Sequence, residues 1–180
     1  RNNLSLGFTF ARNSTDNPIF PRKGSEFTAS VHLTPPYSLF SNKDYSTYGK
    51  NDYEEAASVY NWIEYHKWKF KFKSYTALWQ AQKCPVIMTR AEFGLLGHYN
   101  KYKKSPFETF FMGGDGMSSY TSYSTEYVAM RGYPSGSLTP YDAAMGRNMG
   151  YLYNKFTMEL RYPISLEQSA TIWAHAFIEA

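Results

Sequence analysis

Lys67-Trp68-Lys69-Phe70-Lys71-Phe72-Lys73-Ser74 alternates without a break. Successive side chains of a strand point to opposite faces, so four lysines fall on one face and Trp68, Phe70, Phe72 and Ser74 on the other. A sheet buried on both faces cannot hold such a strand. On a soluble antiparallel sheet the lysines would face water and the aromatics a core. In a membrane barrel the lysines would line a wet lumen and the aromatics would meet lipid. The stretch alone leaves these two readings open.

The same period of two recurs on either side of it. Leu4, Leu6, Phe8 and Phe10 alternate with Ser5, Gly7, Thr9 and Ala11. Phe27, Ala29, Val31 and Leu33 alternate with Thr28, Ser30, His32 and Thr34, and Pro35-Pro36 ends that run because proline donates nothing to a ladder. Downstream, Ile87, Ala91, Phe93 and Leu95 oppose Arg90 and Glu92. From about Met149 to Pro163, Phe156, Met158, Leu160 and Tyr162 oppose Lys155, Thr157, Glu159 and Arg161. Last, Ile172, Ala174, Ala176 and Ile178 oppose Trp173, His175, Phe177 and Glu179. Six strands and no convincing helix are expected. The connections run moderate (13–24), long (36–62), short (80–85), long (100–148) and short (164–169). A long structureless loop is unusual in a compact soluble domain. Alternating long and short connections are ordinary in an up-and-down transmembrane barrel.

Composition narrows the choice. The 180 residues are 43% hydrophobic and 19% charged, which does not demand disorder. Aromatics make up 19%, with 17 Tyr, 13 Phe and 4 Trp, suited to the interfacial girdles of a barrel. Mean hydropathy is −0.53, and no run approaches the roughly 18 apolar residues a membrane helix needs. The net charge of +4 is mild and its lysines and arginines are spread out, which argues against nucleic acid. Cys84 is the single cysteine, so there is no disulfide framework and no cysteine-based zinc site. His66, His98 and His175 are too scattered for a metal site, and no nucleophile triad, phosphate loop or carboxylate pair stands out. No catalytic residue, metal or cofactor is expected. Arg1–Ser5 lacks the apolar core of a signal peptide, and the chain opens without Met, as expected of a segment of something longer.

Specific motifs go further. Phe110-Phe111-Met112-Gly113-Gly114 is followed by Tyr127-Val128-Ala129-Met130-Arg131-Gly132-Tyr133, and then by Met158-Glu159-Leu160-Arg161-Tyr162-Pro163-Ile164. With the early Phe20-Pro21-Arg22-Lys23-Gly24-Ser25, this order resembles the bacterial surface-antigen superfamily of BamA-like outer-membrane assembly proteins. The resemblance implies an antiparallel transmembrane β-barrel of sixteen strands, with residues 1–180 forming part of it. The periplasmic POTRA repeats and the terminal strands, which hold the family's lateral gate, are then expected outside this segment. Six strands cannot close a lipid-facing barrel, for which about eight is the minimum.

The resemblance also implies roles. The motif Met130, Arg131, Gly132 and Tyr133 maps to a loop that folds into the lumen, where Arg131 would pair with Glu159 and Glu179 on the wall. Glu159 shares its face with Lys155 and Arg161, and Glu179 lies opposite the apolar set of its strand, so alternation points both carboxylates inward too. Arginine suits the role because its planar fork holds a carboxylate bidentately. Gly132 would allow a sharp turn or a close approach to the wall. Lys67, Lys69, Lys71 and Lys73 would line the lumen with Lys155 and Arg161. Met130 stands where the family pattern has Val, and the Ser/Tyr-rich Asp115–Glu126 separates Gly-Gly from Arg-Gly.

The function implied is insertion and folding of β-barrel proteins in the bacterial outer membrane. Its partners would be outer-membrane lipids, client barrel proteins and assembly lipoproteins or other subunits. A secretion-type relative, a passive porin-like channel and a soluble β-sandwich binding module are the competing readings.

Overall fold

A computed structural model describes residues 2–41, 43–46, 59–81, 83–117, 125–143, 146–167 and 169–180. Strands β1 (Leu6–Asn13), β2 (Lys23–Leu33), β3 (His66–Ala77) and β4 (Val86–Gly97) follow one another along the chain. Four short strands occupy the second long connection: β5 (Phe110–Met112), β6 (Glu126–Val128), β7 (Tyr141–Asp142) and β8 (Arg147–Asn148). The long strands β9 (Leu152–Leu166) and β10 (Thr171–Glu179) complete the chain. The six long strands form one sheet in the order β1-β2-β3-β4-β9-β10, open at β1 and β10. These are the six strands the alternation predicts.

The faces sort as expected. On β9, Phe156, Met158 and Leu160 are 59%, 54% and 47% exposed, whereas Lys155, Thr157 and Glu159 are buried. Leu6, Phe8, Phe10, Tyr162, Ile164, Ile172 and Ile178 are exposed as well. Large apolar side chains turned outward from a polar, covered face invert the order of a water-soluble sheet.

Three local features depart from the expectation, the first being the short strands β5–β8 in a connection where only loop is predicted. The first long connection contains one helical turn, α1 (Tyr37–Phe40), where only loop is predicted. β9 also runs past Pro163 to Leu166. The ladder with β10 pairs Trp173 with Pro163 and Ile172 with Ser165, leaving Ile164 as an extra residue. A bulge tolerates the proline that lacks a donor. It also reverses the alternation, and Leu166 packs with Trp173 against the apolar cluster described next.

The chain divides into two compact units: Arg1–Phe8 with Val31–Trp68 and Gly94–Tyr153, and Thr9–Ser30 with Lys69–Phe93 and Asn154–Ala180. In the first, Ile63, Tyr65, Leu96, Phe110, Val128 and Tyr153 form the core. In the second, Phe20 joins Tyr75, Val86 and Met88, and its ring lies 5.8 Å from that of Trp173. The turn delivers Phe20 there through side-chain caps. The Asn17 carboxamide oxygen accepts from the backbone N–H of Ile19 and Phe20, and the Asp16 carboxylate from those of Arg22 and Lys23. Partial burial raises the Asp16 carboxyl, but those backbone donors outweigh it and hold it below the ordinary range. Asp16 therefore supports the turn above the carboxylate range and loses that contribution as the pH falls through it.

Phe20 is the only large apolar side chain the 13–22 turn buries. Phe20→Ala is expected to destabilise by about 3–5 kcal/mol, the usual cost of truncating a buried phenylalanine. A shift in the denaturant midpoint of the refolded protein measures it.

Candidate functional site: a charged sheet face and the segment seated on it

The polar face carries a lattice of ion pairs within the second unit. Lys73 bonds Glu26 at 2.8 Å, Lys71 lies 3.5 Å from Glu92, and Arg90 lies 3.2 Å from the same carboxylate. Arg90 and Lys155 reach Glu179 at 3.6 and 3.3 Å. Arg161 donates twice to Glu159, at 2.9 and 2.8 Å, and lies over the Tyr75 ring. Exposed members of such a lattice contribute about 0–1 kcal/mol each. The Lys155 and Glu179 side chains are only 6% and 3% exposed, so their pair is far less screened by water than the exposed members.

In the first unit, the second long connection seats itself on strands of the sheet. Phe110 is 1% exposed, and its ring meets that of Tyr153 edge-on with centroids 4.7 Å apart. Gly94 makes the space: a Cβ there would overlap the Tyr153 ring and come within 2.9 Å of Phe110 Cζ. Tyr153 shares its face of β9 with Lys155, Thr157 and Glu159, so the segment sits on the polar face. β5 and β6 pair in parallel, Phe110 with Glu126, Phe111 with Tyr127 and Met112 with Val128. The Gly113 N–H donates to Val128, the Gly114 N–H to Tyr133 and the Met130 N–H to Gly114. The Tyr127 hydroxyl donates to the Gly113 carbonyl.

Lys67 is 4% exposed and takes its partners from this segment. Its Nζ lies 2.8 Å from Glu126, 3.6 Å from Glu108 and 4.8 Å from the Phe110 ring centroid. Glu108 has φ 64°, the one positive φ outside glycine among the described residues. That conformation costs a side-chain-bearing residue roughly 1–2 kcal/mol. A second buried charge lies nearby in the chain. Glu64 accepts from the backbone N–H and hydroxyl of Ser38 in α1, and Lys103 stands 3.7 Å away. Burial, Lys104 and His66 together push the His98 imidazole below its ordinary value, keeping it neutral at pH 7.

The residues expected at the site fall as follows. Met130 is buried, Arg131 half-buried, and Gly132 and Tyr133 exposed. Gly132 has φ 88° with nothing within 4 Å of a Cβ, so the position needs glycine for the turn and not for a close approach. Glu159 is held by Arg161, and Glu179 by Lys155 and Arg90. Lys69 shares the face of Lys71 and Lys73. The lysine row is not a uniform wet wall: Lys67 is covered, and Lys71 and Lys73 are paired. Alternation missed Glu108, Glu126 and Phe110, because partners supplied by an irregular connection leave no period to read. Glu26 and Glu92 were legible in principle, since each occupies the polar face of a strand next to β3. No group of three or more metal-ligating side chains occurs among the described residues.

A family model for the Omp85 superfamily domain matches residues 1–180. The chain belongs to the Omp85 superfamily. No curated protein matches it. Omp85 membership fits outer-membrane protein assembly or secretion, in bacterial outer membranes or their organellar equivalents. The mostly antiparallel, all-β sheet of the described residues agrees with an Omp85 domain, and none of their helices is long and apolar enough to span a bilayer.

Gly94→Val is expected to cost about 1–3 kcal/mol by overpacking, since both rings that a side chain would meet are fixed. Protease cleavage between residues 109 and 117 should rise in the same variant, measured by limited digestion and mass spectrometry.

Proposed function

We propose that the chain is barrel wall of a BamA-like factor that folds and inserts β-proteins in the bacterial outer membrane. The observation that carries this reading is the connection seated on the polar face through Phe110, Val128 and Met130, opposite an exposed apolar face. An assembly barrel uses it to brace the wall while other strands open.

The chemistry needs no catalytic group. Hydrocarbon offers no partner to a backbone N–H or C=O, and each unpaired group costs several kcal/mol. A barrel that exposes a strand edge and thins the bilayer gives a client strand somewhere to pair. The partners are outer-membrane lipids, client β-barrels and assembly lipoproteins or other subunits. Within this reading, Arg131 of the loop motif engages the wall carboxylates Glu159 and Glu179. The lysine row favours assembly over selective conduction, because Lys71 and Lys73 already have carboxylate partners and leave less net charge to attract anions.

Two outcomes test this. Met158→Arg should cost about 2–4 kcal/mol in folding into lipid vesicles if the exposed face meets hydrocarbon. On a soluble module the same change at an exposed site would be close to neutral. Arg131→Ala should lower the outer-membrane content of client barrels and open residues 109–131 to external protease. Normal client levels with an unchanged digestion pattern would refute the role of the motif, and steady ion conductance from purified protein would favour a pore.

A further inference from the structure

We propose that Lys67 is the staple that closes the root of the 109–125 excursion onto the sheet. It is a positioning residue for the inward segment, and only its consequence for assembly rests on the function proposed above. Lys71 and Lys73 pair with carboxylates of neighbouring strands, Glu92 and Glu26. Lys67 differs, pairing with Glu108 and Glu126, one on each flank of the excursion. Within the connection, both flanks of the excursion meet a single ammonium group of the sheet.

Three other contacts converge on the same point. The Glu126 N–H donates to the Thr109 carbonyl at 2.8 Å, tying the two flanks directly. Phe110 places its ring under the Lys67 ammonium and its edge on Tyr153. Glu108 holds a left-handed backbone that directs its carboxylate toward Lys67, and such strain persists only where surrounding contacts over-determine it. The β5–β6 ladder pairs only three residues in parallel, and on the other side Phe110 exchanges two backbone hydrogen bonds with Gly150, at 2.8 and 3.0 Å, so Lys67 adds a side-chain tie where the ladder is short.

Lysine suits a two-flank staple. Its ammonium has three donors on a flexible stem and can serve two carboxylates that approach from different directions, whereas a planar guanidinium matches one carboxylate edge best. The distances rank the partners: Glu126 at 2.8 Å is the principal anchor and Glu108 at 3.6 Å the secondary one.

The test uses the full natural chain in its native outer membrane. Lys67→Met keeps the apolar stem and removes the charge. It should raise the rate of external protease cleavage within 109–125 at least about tenfold, which corresponds to about 1.4 kcal/mol of lost anchoring. Lys67→Arg should restore part of the protection. The double exchange Lys67→Glu with Glu126→Lys should restore more of it than either single change. Heat-modifiable migration on gels reports that each variant is folded. Unchanged cleavage in folded Lys67→Met overturns the staple. If that variant does not fold, the double exchange decides: recovered folding and protection support the staple, and failure to recover overturns it. Raised cleavage with normal client levels leaves the staple standing and refutes instead the link between the seated segment and assembly.

Discussion

A strand hands its side chains alternately to two sides, and everything in this structure follows from keeping those sides chemically distinct. β9 shows the constraint most plainly: from Leu152 to Glu159 exposed and buried positions alternate without exception. Outward positions are apolar over most of the sheet, a waste of stability in water and a requirement in hydrocarbon. Inward positions must then carry nearly all of the charge. Charges confined to one covered face cannot rely on bulk water, so they neutralise one another. This is why the lysine row meets Glu26 and Glu92, and why Glu179 serves two cations.

The seated segment uses two kinds of contact with different jobs. Burial of Phe110, Val128 and Met130 is strong but has little direction, and a hydrophobic contact alone tolerates sliding. The vacancy at Gly94 gives it a definite place, because a single ring fits there against Tyr153. Charge supplies orientation, since Lys67 distinguishes carboxylates from the other side chains of the connection. The space at Gly94 admits the Tyr153 ring on which Phe110 rests, the Gly150 backbone pairs with Phe110, and the ion pairs select the residues around it.

Much of this was legible before any coordinates. A period of two in Lys67–Ser74 and its five counterparts placed the six sheet strands and sorted their faces, because burial on one side leaves its mark at every second residue. Pro163 misled in a specific way. Proline ends most ladders, so the strand seemed to stop there, but a bulge at Ile164 absorbs the missing donor and carries β9 on to Leu166. α1 is a single turn, too short for helical periodicity to register. Alternation does not single out Gly94, since a glycine does not announce which ring fills the space it leaves. Phe20 lay in what read as a turn, and its burial depends on Trp173, more than 150 residues away in sequence. Glu108 and Glu126 were invisible for the reason that makes them useful, belonging to a connection free of any repeating constraint.

These parts hold one another: Phe110 exchanges two backbone hydrogen bonds with Gly150, and Lys67 pairs with Glu126. From Glu126 the backbone is tied step by step, first to Thr109, then through β6 to β5, and then from Val128 to Gly113 and from Met130 to Gly114. Arg131 follows immediately, and Gly132 turns the chain after it. The Met130–Tyr133 stretch is thus tied through the backbone to a flank that pairs with a lysine more than sixty residues upstream. Holding a long connection in one conformation costs entropy that rises with its unrestrained length. Anchoring the root shortens that length.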